Sequence, residues 1–178
     1  MSRENQCLLF DWGDTLMRVF PDYDGPMVAW PRVEALPHVL DVLTQLCPDW
    51  RMALATNAAA STEQEIWTAL GRVGLDRLLE KVYCYRTIGH KKPSREFFDT
   101  ILRDLKLDHE SVFLVGDDFE ADVLGANLCG IRAVWLNERS SETKIGEMYR
   151  TIHDFRDLPR ALHELEAITR QGRLPRHL

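Results

Sequence analysis

Three short apolar runs in this chain stop abruptly at small polar residues. Leu8-Leu9-Phe10 meets Asp11-Trp12-Gly13-Asp14-Thr15, Met52-Ala53-Leu54-Ala55 meets Thr56-Asn57, and Val112-Phe113-Leu114-Val115 meets Gly116-Asp117-Asp118. A short apolar run without polar alternation describes a strand covered on both faces, the kind that parallel sheets are built from. In such sheets ligands bind outside the C-terminal strand ends. The polar residues therefore fall where chemistry is done, and Asp11 is the first of them.

The intervening segments have helical period. Val33 to Cys47 carries Leu36, Leu40, Leu43 and Leu46 on one face, with Pro37 tolerated in its first turn and Pro48 ending it. Thr62 to Arg72 carries Ile66, Ala69 and Leu70, with Gly71 and Gly74 at its end. Lys81 to Tyr85 reads as a third strand. Ser94 is the cap of a helix whose apolar face is Phe98, Ile101, Leu102 and Leu105. A helix from about Glu120 to Leu128, a strand from Ile131 to Leu136, a polar loop from Asn137 to Glu147, a weaker strand near Tyr149 to His153 and a helix from about Asp157 complete the pattern. Strand and helix alternate throughout. That predicts an α/β fold, a doubly wound parallel sheet of five or six strands with helices on both faces. A single domain is expected over residues 1–170, with residues 171–178 as a frayed, basic tail.

Composition narrows the function. The 178 residues suffice for one domain with a full core. A net charge of −6 argues against a general electrostatic nucleic-acid binder but leaves small anionic substrates open, because a local cation outweighs a global field. No stretch is apolar enough to span a membrane, and Ser2 to Gln6 is too polar for a signal peptide. Cys7, Cys47, Cys84 and Cys129 form no CxxC pair and read as thiols in a reducing compartment, which points to the cytoplasm.

Taken singly, an Asp after a strand is often a turn former, Thr-Asn often a turn, and Lys-Pro usually surface. In this order on a parallel sheet they are far more specific. The chain resembles the haloacid dehalogenase-like superfamily, mostly magnesium-dependent phosphatases, over about Leu8 to Trp135. Phe10-Asp11-Trp12-Gly13-Asp14-Thr15-Leu16 is similar to the family's first motif, Ala53-Leu54-Ala55-Thr56-Asn57 to the second, Lys92-Pro93 to the third, and Val115-Gly116-Asp117-Asp118-Phe119-Glu120-Ala121-Asp122 to the fourth.

The resemblance implies a Rossmann-like sheet and a phosphohydrolase with Asp11 as nucleophile. It implies Thr56, Asn57 and Lys92 around the phosphoryl group, and Mg2+ held by Asp11, the Gly13 carbonyl and Asp117. Asp122 is expected to orient Lys92 or a metal-bound water, and Asp118 to be either a water-mediated ligand or a turn residue. Lys92, which directly precedes the proline, is preferred to Lys91. Magnesium between Asp11 and a phosphate dianion would remove their repulsion. The implied substrate is a phosphorylated small molecule or macromolecule, with no nucleic acid or membrane partner; oligomeric state is not readable.

One position departs from the family's phosphatase pattern. Those enzymes carry an acid/base Asp two residues after the nucleophile, where this chain has Gly13, with Asp14 one residue later. Either Asp14 takes over, Gly13 permitting an unusual turn, or turnover is slow. A non-catalytic phosphate-binding or interaction protein on the same fold is the alternative. Met17 to Arg32 is well below the ~50 residues of a small domain, so no cap domain is expected. Phe20, Tyr23 and Trp30 either line a short lid or pack the loop onto the core.

Overall fold

In the computed structural model, which describes residues 5–172, six parallel strands form one sheet in the order β3-β2-β1-β4-β5-β6. The strands are β1 (Cys7–Phe10), β2 (Arg51–Thr56), β3 (Lys81–Cys84), β4 (Val112–Gly116), β5 (Arg132–Leu136) and β6 (Tyr149–Ile152). The helices are α1 (Val39–Leu46), α2 (Glu63–Gly71), the single turn α3 (Tyr85–Ile88), α4 (Arg95–Leu105), α5 (Gly125–Leu128) and α6 (Leu158–Gly172). A π-helical stretch, Phe119–Leu124, leads into α5. Of the expected tail, residues 173–178 lie outside the described residues, and α6 itself reaches Gly172.

Alternation along the strands divides the core into two layers. Leu8 and Phe10 of β1 face α1, α2 and α6, joining Leu43, Leu70 and Leu162. Cys7 and Leu9 face the other way, onto Phe97, Phe98 and Ile101 of α4 and Ala126 of α5. Every residue of β1, β4 and β5 is buried, which is why those strands read as continuous apolar runs.

Side-chain caps start α2 and α4. The Thr62 side chain accepts from Glu65 N while Glu65 accepts from Thr62 N, a capping box, and Ser94 Oγ accepts from Phe97 N. The first helix departs from expectation. Residues 33–36 are not helical: Arg18 N donates to Glu34 O at 2.9 Å and Leu36 N to Leu16 O at 2.9 Å, so the segment lies alongside the chain after β1. His38 then takes a left-handed φ of 65° before Val39 opens α1. The buried face is consequently Val39, Val42, Leu43 and Leu46, and Leu40 is exposed.

The strand order reverses direction between β1 and β4. The crevice outside their C-terminal ends is the position at which such sheets bind ligands, and Asp11 and Asp117 follow those two strands directly. Among the described residues, the segment between β1 and α1 holds one short 3-10 turn, Met27–Ala29, and no additional domain. No helix of the described residues is long and apolar enough to cross a membrane. All four cysteines are free: Cys7 and Cys84 are buried, Cys129 is half-buried and Cys47 is exposed.

Candidate active site

Strand ends deliver the site. Asp11 leaves β1 with its N–H still bonded to Val115 O at 2.9 Å, so the two strands run in register to the residue that carries the carboxylate. Lys92 arrives from the loop before α4, and its ammonium is almost wholly enclosed. Nζ donates to Asp11 Oδ1 at 2.7 Å and to Ala55 O at 2.6 Å, and it pairs with Asp122 Oδ1 at 2.7 Å. Burial alone would lower the Lys92 ammonium, but the charges of Asp11 and Asp122 outweigh it and hold the group above the usual lysine range. A buried cation between two carboxylates is a fixed feature of the site.

Asn57 fixes the lysine's backbone. Its Oδ1 accepts from Lys92 N at 2.8 Å and its Nδ2 donates to Lys92 O at 3.0 Å. Both ends of the amide are thus committed to positioning Lys92, where the sequence suggested contact with substrate. Thr56 is buried at the end of β2, and its hydroxyl accepts from Ala58 N at 3.1 Å. That leaves its hydroxyl hydrogen free to donate to an anion.

The acidic side is built on Gly116. A Cβ at residue 116 would lie 2.1 Å from Asp122 Oδ2, so only glycine lets Asp122 pack against the end of β4. Asp122 Oδ2 accepts from Asp118 N at 3.1 Å. Asp118 turns the other way, its Oδ1 accepting from Glu120 N at 3.0 Å and Ala121 N at 2.9 Å. It caps the π-helical stretch, which matches the turn reading of that residue.

Asp11, Asp117 and Asp122 each offer a carboxylate oxygen, and these oxygens lie within 4.8 Å of one another. Burial, and after it the charge of Asp11, push the Asp117 carboxyl up to about 6. Burial likewise holds the Asp122 carboxyl above the usual range, against the pull of Lys92. Three oxygen donors sharing one lysine leave negative charge uncompensated, and all-oxygen ligation suits a hard divalent cation. The residues present therefore fit a magnesium ion, with Asp11 and Asp117 the more accessible pair, since the Asp122 side chain is 1% exposed against 14% and 23% for those two. Thr15, fully buried, donates from Oγ1 to Asp117 Oδ1 at 3.4 Å.

The loop after β1 gives Asp14 partners of its own. Leu16 N and Met17 N both donate to Trp12 O at 3.0 Å, closing a tight turn in which Asp14 adopts a φ of 53°. Its Oδ1 accepts from Val19 N at 2.9 Å, and its Oδ2 accepts from Arg139 Nη2. Arg139 also reaches within 3.8 Å of Asp117 Oδ2. Two hollows result. One of about 180 Å³ contains Asp14, Arg18, Asp117 and Arg139. The other, about 290 Å³, lies in front of Asp11, Gly13 and Thr56. Val19, Met27 and Trp30 form an apolar wall of it.

That wall comes from the aromatic loop. Trp30 packs against Tyr23 (5.7 Å between ring centroids) and Phe20 (6.4 Å). Trp30 Nε1 donates to Asp24 O at 3.1 Å, and Arg72 of α2 donates to Trp30 O at 2.7 Å. Trp30 and Met27 are buried and belong to the core, so the loop is packed down while it lines the pocket. The sequence reading assigned no role to Arg139, Thr15 or Arg72. Thr15 stood inside a quoted motif; the two arginines leave no local signal, because each acts on chain remote in sequence.

The sequence pattern of the haloacid dehalogenase-like hydrolases matches residues 10–136. Pyrimidine 5'-nucleotidase YjjG of Escherichia coli is 28% identical over 112 residues, covering 62% of this chain and 48% of its own. A glyceraldehyde 3-phosphate phosphatase of Methanothermobacter thermautotrophicus is 30% identical over 78 residues, covering 44% of this chain and 34% of its own. The chain thus spans about half or less of the length of these relatives. An uncharacterized protein from Listeria monocytogenes serotype 4b has a solved structure that superposes with a TM-score of 0.79 at 26% identity, covering 91% of this chain and 99% of that one. The matched segment runs from the residue before Asp11 to the end of β5 and so contains every carboxylate of the acidic cluster and Lys92: the chain belongs to the haloacid dehalogenase-like hydrolases.

Proposed function

We propose that this protein is a magnesium-dependent phosphohydrolase that works through an aspartyl-phosphate on Asp11. The observation that carries the reading is the Asp11–Lys92–Asp122 chain, with Asp117 in the same carboxylate cluster and Thr56 lining the same hollow as Asp11. Phosphoryl transfer needs positioning and charge stabilisation more than covalent machinery. Lys92 holds the Asp11 carboxylate in one orientation and places positive charge beside the transferring group. Thr56 donates its hydroxyl hydrogen to a phosphoryl oxygen. Asp11 and Asp117, with the Gly13 carbonyl, would hold the ion, and Asp122 anchors Lys92. Magnesium there supplies the charge that lets a carboxylate approach a phosphate dianion. The named phosphatases among the relatives support a phosphorylated small molecule as substrate. Residues 1–170 would form the single catalytic domain. The free thiols fit a cytoplasmic setting.

The test is phosphate release from a panel of phosphate esters with magnesium, comparing the natural protein with Asp11→Asn. Activity that disappears in the variant supports the reading. Equal rates in both proteins would sink it and favour a non-catalytic, phosphate-binding member of the fold.

A further inference from the structure

We infer that this site acts on aryl phosphates, esters whose leaving group is flat, apolar and able to depart without a proton. The inference rests on the phosphohydrolase reading above and narrows its substrate. Two observations carry it. The first is what the pocket in front of Asp11 lacks. Among the described side chains lining that 290 Å³ hollow, Asp11 alone is titratable. Asp14 lies in the other hollow with both carboxylate oxygens occupied, one by Val19 N and one by Arg139. Asp117 lines that hollow too, and Asp122 is enclosed behind Lys92. The hydroxyls of Thr56 and Ser61 are far too weak as acids at neutral pH. No described group therefore stands ready to protonate an oxygen leaving on the side away from Asp11.

The second observation is what the pocket has instead. Val19, Met27 and Trp30 line the same hollow as the nucleophile, together with Ala58, Ala59 and Ala60. Trp30 packs its ring against Phe20 and Tyr23, and its carbonyl accepts from the Arg72 guanidinium. An apolar wall of this kind suits a flat ring better than a hydroxyl-bearing sugar or amino-acid side chain. A phenolic oxygen, with an ordinary pKa of about 10, leaves as a stabilised anion.

The chemistry closes without an acid. An Asp11 oxygen forms a bond to phosphorus as the bond from phosphorus to the aryl oxygen breaks, and that electron pair departs on the phenolate, which solvent protonates. Water then attacks phosphorus, the electron pair of the phosphorus–Asp11 bond returns to the carboxylate, and the proton of water passes to a phosphoryl oxygen to give inorganic phosphate. With no general base in the pocket, this second step is the slow one, so the phosphorylated enzyme accumulates.

The experiment compares phenyl phosphate with benzyl phosphate, which is of similar size and apolarity but has a poor leaving group, and with acetyl phosphate, which has a good leaving group but no ring. A positioned acid is worth about 10²–10⁴-fold. The expected result is a kcat/KM for phenyl phosphate at least about 100-fold above benzyl phosphate, a value above acetyl phosphate as well, and a stoichiometric burst of phenol that is absent in Asp11→Asn. Benzyl phosphate within tenfold of phenyl phosphate would mean that an acid operates and would overturn the inference, while leaving Asp11-dependent hydrolysis in place. Preference for acetyl phosphate would overturn the role of the apolar wall. Asp11-independent release from all three would remove the phosphohydrolase reading and this inference together. An engineered acid gives a second arm. A Cβ on residue 13 would lie 2.8 Å from Val19 Cγ2, so the variant is Gly13→Asp combined with Val19→Ala. A rise of tenfold or more on benzyl phosphate in this variant supports the inference. No rise, in a variant shown to be folded by its unfolding transition and still active on phenyl phosphate, counts against it.

Discussion

Asn57 grips Lys92 at both of its backbone polar groups, accepting from the N–H at 2.8 Å and donating to the carbonyl at 3.0 Å. One side chain on the loop after β2 thereby sets the course of the loop that brings the buried ammonium to Asp11. Removing both bonds in Asn57→Ala should cost about 1–3 kcal/mol of stability, since two part-buried backbone groups lose their partner. The activity loss should fall on kcat, because Lys92 shifts while the apolar pocket wall is untouched. Asn57→Asp keeps an acceptor for Lys92 N but sets a carboxylate oxygen against Lys92 O, so it should fall between wild type and alanine in unfolding midpoint. Chemical denaturation and initial rates on the three proteins test this ordering.

Lys92 itself is a larger element of stability. It is the cation between Asp11 and Asp122, and the Asp122 and Lys92 side chains are each only 1% exposed. Removing one partner of a buried pair costs about 3–5 kcal/mol because the other charge is left uncompensated. Lys92→Met should therefore be markedly less stable than wild type and inactive. Adding Asp122→Asn removes the orphaned charge, so the double variant should recover part of the lost stability while remaining inactive. An additive double variant, with no recovery, would mean that the two groups are not energetically coupled.

The sheet was legible in the sequence because its inner strands are buried on both sides, and burial on both sides writes an uninterrupted apolar run. β2 was bounded at Arg51 and Thr56 from sequence, as in the structure. The start of α1 was not legible, because residues 33–36 have the apolar spacing of a helix yet spend their hydrogen bonds on the chain near Leu16. The π-helical turn at Phe119–Leu124 was read as ordinary helix, and nothing local distinguishes the two. In the candidate site, residues carried by strand ends were readable from motif order. The Arg139–Asp14 pair joins positions 125 residues apart, and such a pairing leaves no periodic trace. It also settles where the Asp14 carboxylate lies, which no spacing argument around Gly13 could decide.

The acidic cluster makes the metal-free protein sensitive to pH in a definite direction. The Asp117 carboxyl is pushed up to about 6 from an ordinary 3.8, first by burial and then by the charge of Asp11. Between those values the folded chain binds more protons than the unfolded chain, so stability falls as pH rises from about 4 to about 6 and stays reduced above. Thermal melts in chelator should therefore show wild type losing more stability between pH 4 and pH 7 than Asp117→Asn does. Arg139 opposes the upward shift, so Arg139→Ala should move the sensitive range to higher pH. At the proposed metal site magnesium would compete with the same proton, so any stabilisation by added magnesium should weaken as pH drops below about 6. A steeper pH dependence in Asp117→Asn than in wild type would contradict the assignment.

Arg72 provides a way to loosen the pocket wall without touching a reacting group. Its Nη1 donates to Trp30 O at 2.7 Å and Val28 O at 3.2 Å, and its Nη2 to Pro31 O at 3.3 Å. Three carbonyls on the aromatic loop are thus tied to the end of α2. Arg72→Ala releases the loop from that helix, while Trp30 keeps its ring contacts and its bond to Asp24 O. The exposed setting of the bonds limits the stability cost to about 1 kcal/mol. If the wall orients the leaving group, as proposed, and takes no part in bond making, a loosened wall should raise KM for a ring-bearing phosphate several-fold. The rate on a small phosphate that never reaches the wall, such as acetyl phosphate, should change less. Arg72→Lys restores a charge but not the fork that reaches three carbonyls, so it should recover only part of the loss. Equal losses on both substrates would place the effect of Arg72 on the phosphoryl end of the pocket, through α2 and the loop that follows Thr56, and would detach the aromatic loop from substrate binding.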